Sequence, residues 1–364
     1  MKLRRALLAI LLTLPATLPV SATAPDSSQS LNWYKCNTHT HTSARPGSDA
    51  NESPEFVATW YRAHGYQCLV ITDHENFTDV APLNARYAGD GHFLVIRGQE
   101  ITQTLADPAQ PGGLRHLHIN GINTDKLILP LGYPIAPTGI TPREIYEHNI
   151  AAIEAAGGIP QINHPNLLWS VRPEDLLPLK EAFLLEIWNA FPTSNNLGGV
   201  DSAGHHSLST EALWDQLLSK GKRIWGVASD DAHEYHTFDD RESPTPGKGW
   251  IVLQAPSLSV QNIVTALRAG RFYASTGIAL EHYSVDSSGI SIQIAQSREW
   301  SPALKPSARY TTRFIGANGD LLAEVTGLSP QYRFKGDESY VRASIMDSDG
   351  RRAWTQPVFR VTRP

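Results

Sequence analysis

A unit of helix, glycine, apolar strand and polar strand end recurs between residues 31 and 277. One copy begins at Ser53-Pro54, residue types typical of a helix N-cap and first turn, and leads to the apolar run 68–72. Two further copies open at Thr141-Pro142 and Thr210-Glu211. Helices and strands that alternate in this way predict parallel strands and an α/β fold.

The predicted strands end in side chains of metal-binding type. They are six imidazoles and two carboxylates: His39, His41, His74, Glu100, His118, His164, Asp231 and His233. In a β/α barrel all strand ends meet on one face, so residues far apart in the chain can share a metal cluster. A flat doubly wound sheet is the alternative, and it would bring together only the ends nearest a switch point. The number of polar strand ends favours the barrel.

The pattern changes after the last of these units. Apolar and polar residues alternate, as in 340–345, and the pairs Asn318-Gly319 and Asp349-Gly350 are typical of hairpin turns. We therefore predict a barrel over 31–277 and a small all-β domain of the sandwich kind over 278–364.

Residues 1–24 have the pattern of a secretory signal peptide. Three positive residues precede an apolar run from Ala6 to Val20, and Ala22-Thr23-Ala24 offers a cleavage site. A membrane anchor is the alternative, but the run is shorter than the ~20 residues that span a bilayer. We expect a periplasmic or secreted protein with no membrane span once this segment is removed.

The charge of the chain bears on its partners. Removal of the three positive charges of the signal segment takes the formal net charge from −5 to −8. Nucleic acids and anionic membranes attract basic proteins, so this acidic balance argues against both. We expect a small-molecule ester as the partner and no nucleic acid.

Two pairs of candidate ligands have a spacing that suits chelation. His39-Thr40-His41 and Asp231-Ala232-His233 each place two ligands on one face of an extended strand, because side chains there alternate with period two. Two surface histidines are the alternative for the first pair alone. Imidazole and carboxylate without thiolate suit Zn, Mn or Fe. A carboxylate such as Glu100 can bridge two ions, and close ions acidify a shared water for hydrolysis of a phosphate, carboxyl or carbamate ester.

Six motifs, taken in order, resemble those of the PHP (polymerase and histidinol phosphatase) metallohydrolases: His39-Thr40-His41, Thr72-Asp73-His74, Gly98-Gln99-Glu100, His118, Asn163-His164-Pro165 and Asp231-Ala232-His233. The resemblance covers Leu31 to Gly277. It implies a distorted seven-stranded, TIM-like β/α barrel with two or three ions of Zn, Mn or Fe. It also implies how the ligands are shared: His39, His41, Glu100 and Asp231 at one ion, Glu100, His118 and His164 at a second, His74 and His233 at a third.

Two positions depart from the family pattern. The family usually has a His or Asp a few residues after the first H-x-H; here Asp49 is the only candidate, and it comes slightly late. The third ion therefore depends on whether Asp49 reaches the cluster. Asn37 stands where many members have Asp. The run Gly270 to Gly277 and the β-rich tail are similar to an exported branch with carbaryl-hydrolase-like enzymes, which keeps non-phosphate esters open as substrates.

We predict an exported metal-dependent hydrolase, most simply a phosphoesterase whose nucleophile is a hydroxide on the metal ions. Arg45, in the loop after the first H-x-H, is predicted to contact an anionic leaving group. Asn189, after another strand, is predicted to contact the substrate or to hold a ligand in place. The alternatives are an aryl ester or carbamate hydrolase on the same site, an amidohydrolase, and a non-catalytic metal- or glycan-binding protein.

The chain has two cysteines, Cys36 and Cys68. A single disulfide is the first expectation for an exported protein. Strand parity argues against it, because Cys36 would face away from His39, whereas Cys68 would share the face of His74. On this ground we expect the two thiols to point to opposite sides of the sheet.

Overall fold

The structure, a computed structural model, describes residues 30–87, 89, 91–110, 112–180, 183–202, 204–238, 243–296 and 309–359. The signal peptide predicted for residues 1–24 lies outside the described residues. Within them, the helices are too short or too polar to cross a membrane.

Six α-helices lie among these residues: α1 Pro54–Ala63, α2 Ala81–Tyr87, α3 Pro142–Ala155, α4 Pro173–Leu176, α5 Thr210–Ser219 and α6 Val260–Arg268. The sequence predicted the starts of α1, α3 and α5 to within one residue. Ser53 and Ser259 each accept a backbone N–H with the side-chain oxygen at the start of α1 and α6, and Thr141 with Glu144 forms a capping box on α3. Local capping chemistry therefore sets these helix starts.

The strands of the described chain are β1 Asn32–Asn37, β2 Cys68–Ile71, β3 Leu94–Ala106, β4 Leu114–Ile122, β5 Ile159–Ile162, β6 Leu184–Asn189, β7 Gly199–Val200, β8 His206–Ser207, β9 Trp225–Ser229, β10 Trp250–Ala255, β11 Phe272–Ser275, β12 Leu280–Val285, β13 Gly289–Ile294, β14 Tyr310–Ile315, β15 Leu321–Thr326, β16 Gln331–Arg333, β17 Tyr340–Asp347, β18 Arg352–Thr355 and β19 Val358–Phe359. Short 3-10 turns span Leu167–Trp169 and Ala317–Gly319.

Fourteen of these strands form one mixed sheet in the order β15-β14-β17-β18-β11-β10-β1-β2-β3-β4-β5-β6-β9, with β19 paired to β17. The strands β1, β2 and β3 are parallel neighbours, as are β5, β6 and β9. Strand β4 runs antiparallel to both of its neighbours. The strands β12, β13 and β16 form a second sheet, and β7 pairs with β8.

The α/β class is confirmed, but the closed seven-stranded barrel is not. The described strands form an open sheet, in which a single bridge between Thr40 and Ala232 joins the chain after β1 to the chain after β9. The prediction that all strands are parallel is wrong for β4 and for β10. The connection from Ala106 to Leu114 is too short for a helical crossover, so β3 and β4 form an antiparallel hairpin.

Most strands after residue 277 extend the central sheet. The pairing of β11 with β18 brings Tyr273 opposite Thr355, and β17, β14 and β15 follow. The residues from Leu31 onward form one compact unit. A small all-β domain separate from the rest is therefore not confirmed, and the boundary between 277 and 278 stays a prediction.

Cys36 and Cys68 form a disulfide, and the expectation from strand parity is wrong. The two residues are register partners on the parallel strands β1 and β2, with their Cα atoms 4.6 Å apart. Strand β1 ends at Asn37 and β2 ends at Ile71. Strict alternation therefore does not continue to the histidines beyond these ends, and their direction does not fix that of the cysteines.

Removal of the disulfide is expected to lower the stability of the fold. The double variant Cys36→Ala, Cys68→Ala should lose about 3–4 kcal/mol of unfolding free energy, because the bridge restricts the unfolded chain across a sequence separation of 32. Equilibrium unfolding in urea of the oxidised wild type and the variant measures this difference. If the oxidised and the reduced wild type unfolded at the same urea concentration, the disulfide would not stabilise the fold.

Candidate metal centre

The structure brings the predicted metal ligands together at one edge of the central sheet. Seven of them, with Asp49, form three groups whose donor atoms lie within 4.8 Å of one another: His39, His41, Glu100 and Asp231; His74, Glu100 and His118; His41, Asp49, His74 and His233. The eighth, His164, contacts the first two groups through Glu100, with 3.3 Å between its Nε2 and Oε1.

The strands place these ligands in two different ways. His39 and His41, His74, His164 and Asp231 follow the last residues of β1, β2, β5 and β9, as predicted. Glu100 and His118 instead lie inside β3 and β4, so the prediction that they end their strands is wrong. Thr102 is the register partner of His118, which places Glu100 diagonally across the hairpin from His118 on the same face.

The donor atoms of the first group lie at the corners of a small tetrahedron. His39 Nε2 is 3.1 Å from His41 Nε2, and both nitrogens are 3.3 Å from Glu100 Oε2. Asp231 Oδ1 lies 3.1 Å from His39 Nε2 and 3.0 Å from His41 Nε2. Five of the six separations in this group are thus 3.0–3.3 Å, and an ion among four atoms at such a spacing would lie about 2 Å from each, the length of a Zn–N or Zn–O bond. The four side chains therefore fit a divalent ion.

The charge of the first group also fits a cation. Glu100 and Asp231 are buried, and the ion pairs recorded for them within the described chain are all with histidines. A buried carboxylate without a compensating charge costs several kcal/mol. Since imidazoles are neutral when they bind metal, a bound cation would supply the missing positive charge.

The pKa values of these carboxylates and histidines reflect how close together the side chains lie. Burial raises the pKa of Glu100 and Asp231, but the neighbouring histidines outweigh burial and hold both values well below the usual range. Burial lowers the pKa of His41, yet hydrogen bonds to Asp231 and Glu100 raise it to about 10. In His39, burial is likewise outweighed by the charges of the same carboxylates, and its pKa lies well above the usual value. Without metal, the two carboxylates therefore favour the protonated forms of His39 and His41.

Glu100 contacts ligands with both carboxylate oxygens. Its Oε1 lies 3.1 Å from His118 Nδ1 and 3.3 Å from His164 Nε2, while its Oε2 faces the first group and lies 3.2 Å from His74 Nδ1. A carboxylate that bridges two ions presents one oxygen to each. The resemblance implied that His118 and His164 share the second ion. In the structure, the group of donor atoms around Glu100 contains His118 and His74 but not His164.

Asp49 reaches the cluster. Its Oδ2 lies 3.3 Å from His74 Nε2 and 3.5 Å from His233 Nε2, although the Asp49 side chain is 54 % exposed. The rings of His41 and His233 stack with centroids 4.1 Å apart. The residue on which the third site depends is therefore in place, and an ion there remains a proposal.

Two of the predicted ligands have a strained backbone. His164 has φ 24° and Asp231 has φ 50°, in the left-handed region that few residues other than glycine adopt. Such strain costs roughly 1–3 kcal/mol per residue and persists where the surroundings fix it. The His164 N–H donates to Glu186 Oε2 at 2.6 Å, and the Asp231 N–H donates to the His39 carbonyl at 3.0 Å. These bonds hold both ligands in their places.

Glu186 is the site residue that the sequence analysis missed. It is buried on β6, where its Oε1 lies 2.8 Å from His39 Nδ1 and accepts the Ser229 hydroxyl at 2.5 Å. An acceptor on Nδ1 turns the Nε2 of a histidine ligand towards the metal. A lone acid within the apolar run Leu184 to Ile187 was the available signal, because a buried carboxylate needs partners.

Glu186→Gln is expected to weaken metal binding by roughly 10–100-fold, the usual effect of losing a carboxylate behind a histidine ligand. The amide still fills the space but no longer fixes the tautomer of His39. Competition with a chromogenic chelator measures the affinity. Glu55→Gln, on the exposed side of α1, is the control. Equal affinities of the Glu186 variant and the wild type would rule out this role.

The two residues predicted to contact substrate lie in different surroundings. Asn189 is fully buried, and its amide donates to Glu186 Oε2 at 2.8 Å and to Asp231 Oδ2 at 3.1 Å. It thus contacts the predicted ligand Asp231, and the two roles predicted for Asn189 stay predictions. Arg45 is half-buried, its carbonyl accepts the Ser48 N–H, and within the described residues no ion pair joins its guanidinium to the cluster.

Position 37 is Asn where many PHP proteins have Asp, and the structure gives a reason for this difference. Asn37 donates from Nδ2 to Asp230 Oδ2 at 2.6 Å and accepts the His39 N–H with Oδ1 at 2.9 Å. Asp230 is fully buried and also accepts the Tyr61 hydroxyl and the Gly249 N–H. An Asp at position 37 would face a second carboxylate without a donor between them, whereas Asn supplies that donor.

Solved structures similar to the chain include a two-domain protein from Bacteroides vulgatus ATCC 8482 that contains a predicted PHP-like metal-dependent phosphoesterase. The identity is 14 %, the TM-score is 0.44, and the match covers 87 % of this chain and 90 % of that protein. Endonuclease Q in complex with a 27-mer duplex substrate matches at 12 % identity and a TM-score of 0.36, over 65 % of this chain and 57 % of that one. A PHP-like protein is thus among the solved structures similar to this chain.

No protein family model matches the chain, and no curated protein matches it.

The expectation that excluded nucleic acid is wrong. Among the similar structures, Endonuclease Q is bound to a DNA duplex with an abasic lesion at its active site. The exclusion was based on the net charge of the whole chain. Contact with a phosphate backbone depends on the charge at the site itself, and bound metal ions change that charge.

Proposed function

We propose that the chain is a metal-dependent phosphoesterase with two or three divalent ions of Zn, Mn or Fe. The tetrahedral group of His39, His41, Glu100 and Asp231 carries this proposal, together with the second oxygen of Glu100 that faces His118. When bound, such ions supply Lewis acidity and lower the pKa of a shared water. The PHP-like phosphoesterase among the similar structures is consistent with this activity.

The side chains of the centre divide into a buried and an open side. His39, His41 and Glu100 are at most 1 % exposed, whereas His74, His118 and His233 are 10–13 % exposed and Asp49 is 54 % exposed. An ester therefore reaches the centre from the side of Asp49. The buried side excludes water and keeps the ligands of the first group in one geometry.

We also propose export to the periplasm or the medium. The signal-peptide pattern of residues 1–24 supports it, and so does the disulfide between Cys36 and Cys68, since disulfides persist in oxidising compartments. A role like that of the exported carbaryl-hydrolase-like branch is part of the same proposal and makes carboxyl and carbamate esters worth testing.

A substrate panel tests the proposed activity. The metal-free protein is loaded separately with Zn, Mn and Fe and assayed on 4-nitrophenyl phosphate, bis(4-nitrophenyl) phosphate, 4-nitrophenyl acetate and duplex DNA with and without an abasic site. We expect metal-dependent cleavage of at least one phosphate ester. Cleavage of the acetate alone would refute the phosphoesterase assignment, and an inert protein under every metal would refute the hydrolase.

Metal uptake is expected to release protons and to strengthen as pH rises. The pKa of His41 is about 10 in the metal-free centre, because burial is outweighed by hydrogen bonds to Asp231 and Glu100. A ligand must lose its proton to bind metal, so affinity should rise with pH from 6 to 8, by up to about tenfold per unit for each proton displaced. Calorimetric titration with Zn in buffers of different ionisation enthalpy counts the protons released. Affinity that does not change with pH would contradict this prediction.

A further inference from the structure

A cavity of about 370 Å³ lies beyond the ligand-bearing strands. It is bounded by the tip of the β3–β4 hairpin, the loop after His164 and the β7–β8 hairpin. Among the residues that line it are Gln110, Asn166, Trp169, Arg172, His206 and Leu208. Its volume is typical of sites for small organic molecules.

Two connections join this cavity to the metal centre. The loop that carries Trp169 begins at the candidate ligand His164 and is closed where the Val171 N–H donates to the Pro165 carbonyl at 3.0 Å. On the other side, the Ser170 hydroxyl accepts the His116 N–H at 3.0 Å, and the ring of His116 lies 5.9 Å from that of His118. The loop that carries Trp169 thus follows β5 and is bonded to β4, and both strands position predicted ligands.

The backbone that presents Trp169 is strained. Leu168 has φ 49° and Trp169 has φ 58°, two consecutive residues with bulky side chains in the left-handed region. The Leu168 carbonyl accepts a hydrogen bond from Gln110 Nε2 at 2.5 Å, which fastens this turn to the hairpin tip. The indole edge lies against Gly199, where a Cβ would come within 3.1 Å of Trp169 Cη2. The indole therefore has a fixed position in the cavity wall.

Two cations at the cavity are already paired, and its lining also includes His206 and the carboxylate of Glu174. Arg172 Nη2 lies 3.4 Å from Asp107 Oδ2 and donates to Gln110 Oε1, and His205 Nδ1 lies 2.9 Å from Asp201 Oδ2. Trp169 and Leu208 add apolar surface to the lining. A second anionic group would find both cations occupied, whereas a neutral ring finds an indole to contact.

We propose that this cavity binds the leaving group of the ester and that this group carries a neutral ring, aromatic or sugar, stacked on the indole of Trp169. The inference rests on the proposed phosphoesterase function and specifies its substrate class. Indole presents a large, rigid apolar face that contacts either kind of ring at low entropic cost. Trp169 thereby discriminates between substrates, and it takes no part in the bond cleavage.

The test compares Trp169→Ala and Trp169→Phe with the wild type on three phosphomonoesters: 4-nitrophenyl phosphate, glucose 1-phosphate and methyl phosphate. We expect Trp169→Ala to raise KM about tenfold for at least one ring-bearing ester, with kcat within about twofold, and to leave methyl phosphate unchanged. Trp169→Phe should restore most of the affinity for the aromatic ester. Metal content should equal that of the wild type, and Trp33→Ala, a half-buried indole at the start of β1, is the matched control.

Equal losses on all three esters would show a merely structural role, and unchanged KM values on both ring-bearing esters would also overturn the inference. If the metal-loaded wild type cleaves none of these monoesters and none of the phosphate esters of the substrate panel, the proposed function fails by itself. Calorimetric titration with 4-nitrophenol and methyl glucoside then tests whether the cavity binds a ring. Binding of either ring that weakens about tenfold in Trp169→Ala would support the pocket, and equal or absent binding in both proteins would refute it.

Discussion

Glu100→Gln is expected to abolish hydrolysis, with a loss of at least ~10³-fold in kcat/KM on whichever phosphate ester the wild type cleaves. Glu100 contacts His39 and His41 through Oε2 and His118 and His164 through Oε1. The amide has nearly the same shape, but it lacks the negative charge and offers one acceptor oxygen where the carboxylate offers two. The variant therefore loses the bridge between two groups of ligands, and its metal content should fall with its activity.

The control for this variant is Glu154→Gln, on the exposed face of α3, which should match the wild type in activity and metal content. Far-ultraviolet circular dichroism confirms that both variants are folded. A Glu100→Gln protein that keeps full metal content and more than a tenth of the wild-type kcat/KM would show that Glu100 does not join the two groups.

Arg342→Met is expected to lower the unfolding free energy by about 3–5 kcal/mol. The Arg342 guanidinium is fully buried and donates from Nε and Nη2 to the two carboxylate oxygens of Asp215 at 2.8 and 2.6 Å. Its Nη1 donates to Glu211 at 2.8 Å. Methionine keeps an apolar stem in the same space but leaves Asp215 buried without its cation. The pair joins β17 to α5, so its loss should also weaken the attachment of the strands after residue 277.

Urea unfolding followed by fluorescence and circular dichroism measures this effect. Arg313→Met is the matched control, because Arg313 is 59 % exposed and pairs with Glu324 at the surface, where an ion pair contributes at most about 1 kcal/mol. We expect the two probes to give one transition in the wild type. A loss below about 1 kcal/mol in Arg342→Met would contradict the role of the pair, and a separate early transition in the wild type would favour an independent C-terminal domain.

Local signals were sufficient for several parts of the fold. Ser53 and Thr141 predicted helix starts because capping depends on a few neighbouring residues. His39, His41 and Asp231 could be placed at strand ends because each follows an apolar run directly. The number and kind of these side chains then indicated a metal centre before any distance was known.

Signals that depend on pairing between distant strands could not be read in this way. The antiparallel direction of β4 places His118 beside Glu100. The short connection from Ala106 to Leu114 fixes this direction, but the strand ends that define the connection follow from the pairing of β3 with β4. The register of β1 on β2 decides the disulfide between Cys36 and Cys68, and it follows from the whole sheet. Glu186 was missed because its partners come from three other strands.

The open sheet has a related cause. No helix lies between β9 and β10 in the described part of the chain, and β11, which follows α6, pairs with β18 near the end of the chain. Periodicity along a sequence reports which segments are strands. It does not report which strand edges remain free to pair with a further strand. Here β11 pairs with β18, a strand from the C-terminal part of the chain.

The central claim is that these side chains form a metal centre, and metal analysis tests it most directly. The protein is loaded with Zn, Mn or Fe, freed of weakly bound ions by gel filtration, and analysed by inductively coupled plasma mass spectrometry beside Glu100→Gln. We predict two or three tightly bound ions per wild-type chain, in line with the three groups of donor atoms, and a clear loss in the variant. A wild-type chain that retains no ion under any of these metals would contradict the account.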